Sequence, residues 1–139
     1  MDALPAGWDA ERLKRLAGHV AEAATKQPPN GRSRWLHGPH YTDIFVDYDD
    51  HGQILLAEIS FGGHLVRWEQ GRPYTPDPPR LYTGATDEMT VDRAAMPGSR
   101  FIQEHARLDG SILNAVRVLL ENISDRELAE SLLSKIRSL

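Results

Sequence analysis

Hydrophobic and polar positions change period twice along the chain. Between Asp9 and Lys26 the apolar residues are Leu13, Leu16, Ala17, Val20, Ala23 and Ala24, a spacing of three and four that predicts one helix stripe. Asp9 is positioned to cap its N-terminus, and Pro28-Pro29-Asn30-Gly31 ends the helix and turns the chain.

From Arg34 to Gln70 the period falls to two. Strands are predicted at Tyr41–Asp49, Gln53–Phe61 and His64–Gln70, joined by turns at His51-Gly52 and Gly62-Gly63. The turns imply a register. A two-residue Gly62-Gly63 turn pairs Phe61 with His64, Ile59 with Val66, Ala57 with Trp68 and Glu58 with Arg67. A turn centred on His51-Gly52 pairs Tyr48 with Leu55, Val46 with Ala57 and Ile44 with Ile59. Both hairpins then place Ile44, Val46, Tyr48, Leu55, Ala57, Ile59, Phe61, Val66 and Trp68 on one face. Slipping the first hairpin by one residue would put Asp43 and Asp47 there instead. The opposite face is mixed, with Asp43, Phe45, Asp47, Asp49, Leu56, Glu58, Leu65, Arg67 and Glu69.

The middle of the chain is less regular. Ser33–Leu36 is open between strand and loop. Four prolines keep Gly71–Pro79 out of any central strand, and Arg80–Thr83 and Met89–Arg93 read as short strands before a break at Met96-Pro97-Gly98. Helical spacing returns at Arg100 with Phe101, His105, Leu108, Ile112, Val116, Leu119 and Ile123. The stripe runs through Asp109-Gly110, which favours one long helix over two, with a break at Asp109 as the alternative. Ser124-Asp125-Arg126-Glu127 has the form of a capping box for a last helix carrying Leu128, Leu132, Leu133, Ile136 and Leu139.

The expected architecture is therefore a single α+β domain over residues 1–139. It has an N-terminal helix, a three-stranded antiparallel meander open to extension by short strands, and two C-terminal helices packed on one sheet face. Leu113 and Leu120 widen the helical stripe beyond what three strands cover, which suggests a homodimer through the C-terminal helices.

Composition narrows the chemistry. There is no cysteine, which excludes thiol catalysis, cysteine-ligated zinc, iron–sulfur clusters and disulfides. The longest apolar run, Ile54–Ala57, is far below the roughly 18 residues of a membrane span, and the N-terminus shows no secretory pattern. A cytoplasmic protein without membrane partners is expected. The net charge of −4 argues against a nucleic-acid partner. That charge is polarised: six basic residues against Glu22 lie between Arg12 and Arg34, and five acids with no Lys or Arg lie between Tyr41 and Ser60.

No Gly-x-Ser-x-Gly, His-Glu-x-x-His, Walker or Gly-x-Gly-x-x-Gly motif occurs. The Arg72–Arg80 segment matches the proline-rich ligands of aromatic grooves only briefly and reads as a stiff loop. The aromatics Trp35, Tyr41, Phe45 and Tyr74 are not claimed by the core pattern. The expectation is a non-enzymatic regulatory or protein-interaction module with no cofactor. It would bind a basic partner through Trp35, Tyr41, Asp43, Phe45, Asp47 and Asp49. Two alternatives use different chemistry. His37, His40 and Asp43 are residue types that ligate zinc or manganese, which would make a small metal protein or enzyme. A pocket between the sheet and the C-terminal helices would make a small-ligand sensor.

Overall fold

A computed structural model describes residues 3–26, 32–70, 78–86 and 102–137. The elements run α1 (Ala10–Gly18), β1 (Ala21–Lys26), β2 (Arg32–Gly38), β3 (Thr42–Tyr48), β4 (Ile54–Phe61), β5 (His64–Glu69), β6 (Arg80–Thr86), β7 (Ile102–Glu104), α2 (Gly110–Asn122) and α3 (Arg126–Arg137). The strands form one antiparallel sheet in sequence order. The three-stranded meander is thus corrected to seven strands, within the expected α+β class. The predicted turn at Pro28–Gly31, the strand at Met89–Arg93, the break at Met96–Gly98, Tyr74 and Leu139 lie outside the described residues.

The central register follows the glycine turns. Gly62 and Gly63 both have positive φ, and every predicted β4–β5 pair is present. In β3–β4, Ile44 pairs with Ile59 and Val46 with Ala57, but Tyr48 pairs with Ile54 rather than Leu55. The cause is the turn. The Asp49 carboxylate accepts from the His51 and Gln53 amides at 2.8 and 2.9 Å, and Gly52 adopts φ +78, which closes a three-residue loop. A bulge at Leu55 then restores the register, and Leu55 is 40% exposed instead of joining the core.

Two helical expectations are corrected to strands. α1 stops at Gly18, with the His19 amide closing on the Ala17 and Leu16 carbonyls, and the chain continues as edge strand β1 on β2. The alanines of Ala21-Glu22-Ala23-Ala24 mimic a helix stripe, but pairing with β2 overrides their propensity. Similarly, the long helix expected from Arg100 begins only at Gly110. Asp109 caps it, accepting from the Ser111 amide at 2.9 Å, while Ile102–Glu104 pairs with β6. Gly84 permits that pairing, because a Cβ there would come within 2.8 Å of the Gln103 carbonyl oxygen. At α3 the cap is Asp125, one residue after the expected Ser124, and it accepts from the Leu128 amide at 3.0 Å.

All three helices share one core cluster with the inner sheet face, where Leu13, Leu16, Ile112, Val116, Leu119, Leu132 and Ile136 meet Ile44, Val46, Ile59, Phe61, Val66 and Trp68. Leu113 and Leu120 are buried here within one chain, so the excess stripe that suggested a homodimer is taken up internally. Arg34 links the layers. Its Nη2 pairs with Glu22 at 2.6 Å and with Asp125 at 2.9 Å, tying the sheet to the start of α3. Hydrogen bonds from the Leu128 amide and then Arg34 hold the Asp125 carboxyl below its ordinary value. None of the described helices is long and apolar enough to cross a membrane.

At the α2 end of the sheet, buried Thr83 Oγ1 accepts from the Asp109 amide at 2.9 Å and meets His105 Nδ1 at 3.1 Å. His64 lies beside Phe61 and faces Asp109 and His105. Burial is the largest influence on it and lowers its pKa, with His105 acting in the same direction and Asp109 opposing. A histidine whose folded pKa is depressed binds its proton more readily unfolded. Its contribution therefore leaves stability unchanged above the ordinary value of 6.5 and lowers it as pH falls through that value toward the folded one. The melting temperature of wild type should therefore fall between pH 7.5 and 5.5, and the fall should shrink in His64→Asn. An equal fall in both proteins, measured by scanning calorimetry, would remove this role for His64.

Candidate functional site, the outer sheet face

The face opposite the helices follows from the same alternation. Cross-strand rows place Ser33, Asp47, Leu56, Glu69 and Arg80 in one line, Trp35, Phe45, Glu58, Arg67 and Tyr82 in the next, and His37, Asp43, Ser60, Leu65, Gly84 and Glu104 in a third. Phe45 and Leu65 are buried on this face, apart from the main core cluster.

Asp43 is its centre. The residue is 1% exposed, and its Oδ1 accepts from Trp35 Nε1 and from His37 Nδ1, each at 2.7 Å. The register explains the convergence: His37 is directly opposite Asp43 on β2, and Trp35 is the next residue along the same face. Three-residue spacing between His37 and His40 carries no such convergence on a strand. Because the carboxylate is the acceptor, Nδ1 carries the proton in that bond, and Nε2 is the ring nitrogen left for other contacts. The His37 side chain is 53% exposed, so a buried acid holds a solvent-facing imidazole in one orientation.

The loop beside this group is unusual. His40 and Tyr41 both adopt left-handed backbone, with φ +57 and +55, which non-glycine residues seldom do. Thr42 Oγ1 donates to the Pro39 carbonyl at 2.6 Å, and the Gly62 amide donates to the His40 carbonyl at 2.9 Å, so neighbouring segments hold the turn in place.

Toward the other edge, Arg67 connects two carboxylates, Glu69 at 2.8 Å and fully buried Glu58 at 3.6 Å. The Tyr82 hydroxyl donates to Glu69 at 3.4 Å, and burial pushes its phenol up to about 12. Arg80 pairs with Glu104 and lies 4.5 Å over the Tyr82 ring. On the near side, Ser33 Oγ donates to Asp47.

The six expected contact residues therefore divide. Trp35 and Tyr41 are partly exposed, and Asp47 is partly exposed while bonded to Ser33. Asp43 and Phe45 are buried and support the face from within, rather than standing out as anchors. Asp49 is occupied with the β3–β4 turn. Of the expected metal ligands, His37 and Asp43 meet while His40 sits in the turn, and no group of three or more ligating side chains able to hold a metal occurs among the described residues. The core cluster lies between the sheet and the helices, and a groove of about 650 Å³ lies beside α1 and α2. Arg80, Tyr82 and Glu104 belong to the face but escape sequence reasoning, because their side is set by the pairing of β6 and β7 with the strands before them.

No family model matches this chain, and searches of curated proteins and of solved structures return no match.

Removing the Asp43 carboxylate leaves two partly buried N–H donors without their acceptor. Asp43→Ala should destabilise the protein by about 2–3 kcal/mol. Asp43→Asn, which retains an acceptor oxygen, should cost about 1 kcal/mol. Urea unfolding measures both; equal, negligible losses would mean that Asp43 does not organise the face.

Proposed function

We propose that this chain is a non-enzymatic interaction module whose outer sheet face docks a protein partner carrying basic groups, in the cytoplasm and without nucleic acid. One observation carries the reading. The face opposite the described helices bears the carboxylates Asp43, Asp47, Glu58, Glu69 and Glu104 against the guanidinium groups of Arg67 and Arg80. Two of those carboxylates, Asp43 and Glu58, are buried. Withdrawing a carboxylate from water carries a penalty of several kcal/mol before pairing, and a purely structural sheet face is served as well by apolar residues. Buried acids that orient Trp35, His37 and Arg67 are consistent with a surface whose polar groups are set before a partner arrives, which limits the ordering cost of binding.

The partner's basic groups would meet partly exposed Asp47 and exposed Glu104, with Trp35 and Tyr41 supplying aromatic contact. Glu130 is exposed on α3, on the helical side of the sheet, and serves as the comparison site.

The test compares reversal of charge on the two sides. Proteins captured from a native-host lysate by the wild-type chain should associate with Asp47→Lys/Glu104→Lys at a rate reduced about tenfold or more at low salt. Glu130→Lys should associate as wild type does. Equal association of all three chains in a biosensor, or no specific capture, would overturn the assignment.

A further inference from the structure

The groove beside α1 and α2 is independent of the outer face. It is lined by the apolar side chains of Leu4, Trp8 and Val118 together with Asn114, Arg117, Asp9 and Glu121. Its volume, about 650 Å³, is that of small-molecule sites.

Its aromatic wall is held firmly. Trp8 meets Phe61 edge-on at 5.1 Å, and the Arg12 guanidinium stacks 3.9 Å over its ring. The indole also presses against the β4–β5 turn, where a Cβ on Gly62 would approach Trp8 Cζ2 to 2.7 Å. Trp8 therefore presents a fixed surface to the groove.

The charges lining the groove are unequal in their commitments. Asp9 Oδ1 accepts from the Arg12 amide at 2.8 Å as the α1 cap. Glu121 pairs with Arg137 at 3.4 Å, although it stands one helical turn from Arg117. Asn114 donates to the Ala3 carbonyl at 3.0 Å and accepts from Arg117 Nη1 at 3.3 Å. Arg117 has no carboxylate within ion-pairing distance among the described residues, and its Nε is buried without a hydrogen-bond partner. Buried guanidinium nitrogens are ordinarily satisfied, and a guanidinium fork matches a carboxylate with two parallel hydrogen bonds.

We propose that the groove binds a small apolar carboxylate, with the acid group on Arg117 and the hydrocarbon portion against Leu4, Trp8 and Val118. A neutral apolar molecule would leave the guanidinium unpaired. A cation would meet Arg117 as a like charge, while the two acids it might use are already engaged.

Decanoate and its neutral counterpart decanol are suitable probes, below their aggregation limits, with the three indole signals followed by NMR. Decanoate should shift the Trp8 indole resonance and leave those of Trp35 and Trp68 in place. Decanol should bind at least tenfold more weakly. Arg117→Gln should weaken decanoate binding at least tenfold while leaving decanol binding unchanged, which also shows that the groove remains folded. Absence of a Trp8 shift, or equal binding of acid and alcohol, would overturn the proposal. So would a loss of both probes in Arg117→Gln together with unchanged acid binding in a second variant, Arg117→Met.

Discussion

Two-residue alternation held in register from β2 to β6 is the constraint on which the rest of this structure depends. A slip of one residue between neighbouring strands would carry Ile44, Val46, Ile59, Val66 and Trp68 out of the core and bring Asp43 and Glu58 into it. Local chemistry prevents that slip. Positive φ at Gly62 and Gly63 sets one hairpin, and the Asp49 carboxylate with the Leu55 bulge sets the next. With the inner face committed to apolar packing, α1, α2 and α3 all gather there.

The outer face is what this commitment leaves behind, and its order comes from charge. Asp43 draws Trp35 and His37 to one oxygen, and Arg67 draws Glu58 and Glu69 to one guanidinium. Such groups pack at fixed distances only while the strands beneath them hold register, so the polar face and the apolar core depend on the same turns. Arg34 extends the dependence to the helices by joining β2 to the capping residue of α3.

Much of this was legible where turn chemistry was local. Gly62-Gly63 is sufficient to read the β4–β5 pairs, and the alternation around it identifies the core face. The edges were not legible, because their state is decided by partners distant in sequence. Ala21–Lys26 becomes a strand through β2, and Ile102–Glu104 becomes one through β6 beside Gly84. Asp109 looks like a residue inside a continuous stripe until Thr83 Oγ1 takes its amide and its carboxylate caps α2. At the site, the residue types were recognisable but their exposure was not. Period two assigns Asp43 and Phe45 to the outer face without indicating that they are buried in it.

A buried carboxylate organises the outer face, and the indole proton of Trp35 is the reporter bonded to it. In the 2.7 Å bond to Asp43 this proton is predicted to resonate downfield and to exchange with solvent much more slowly than a free indole. Exchange of the Trp35 indole proton at the free rate, in folded wild-type protein, would contradict the account.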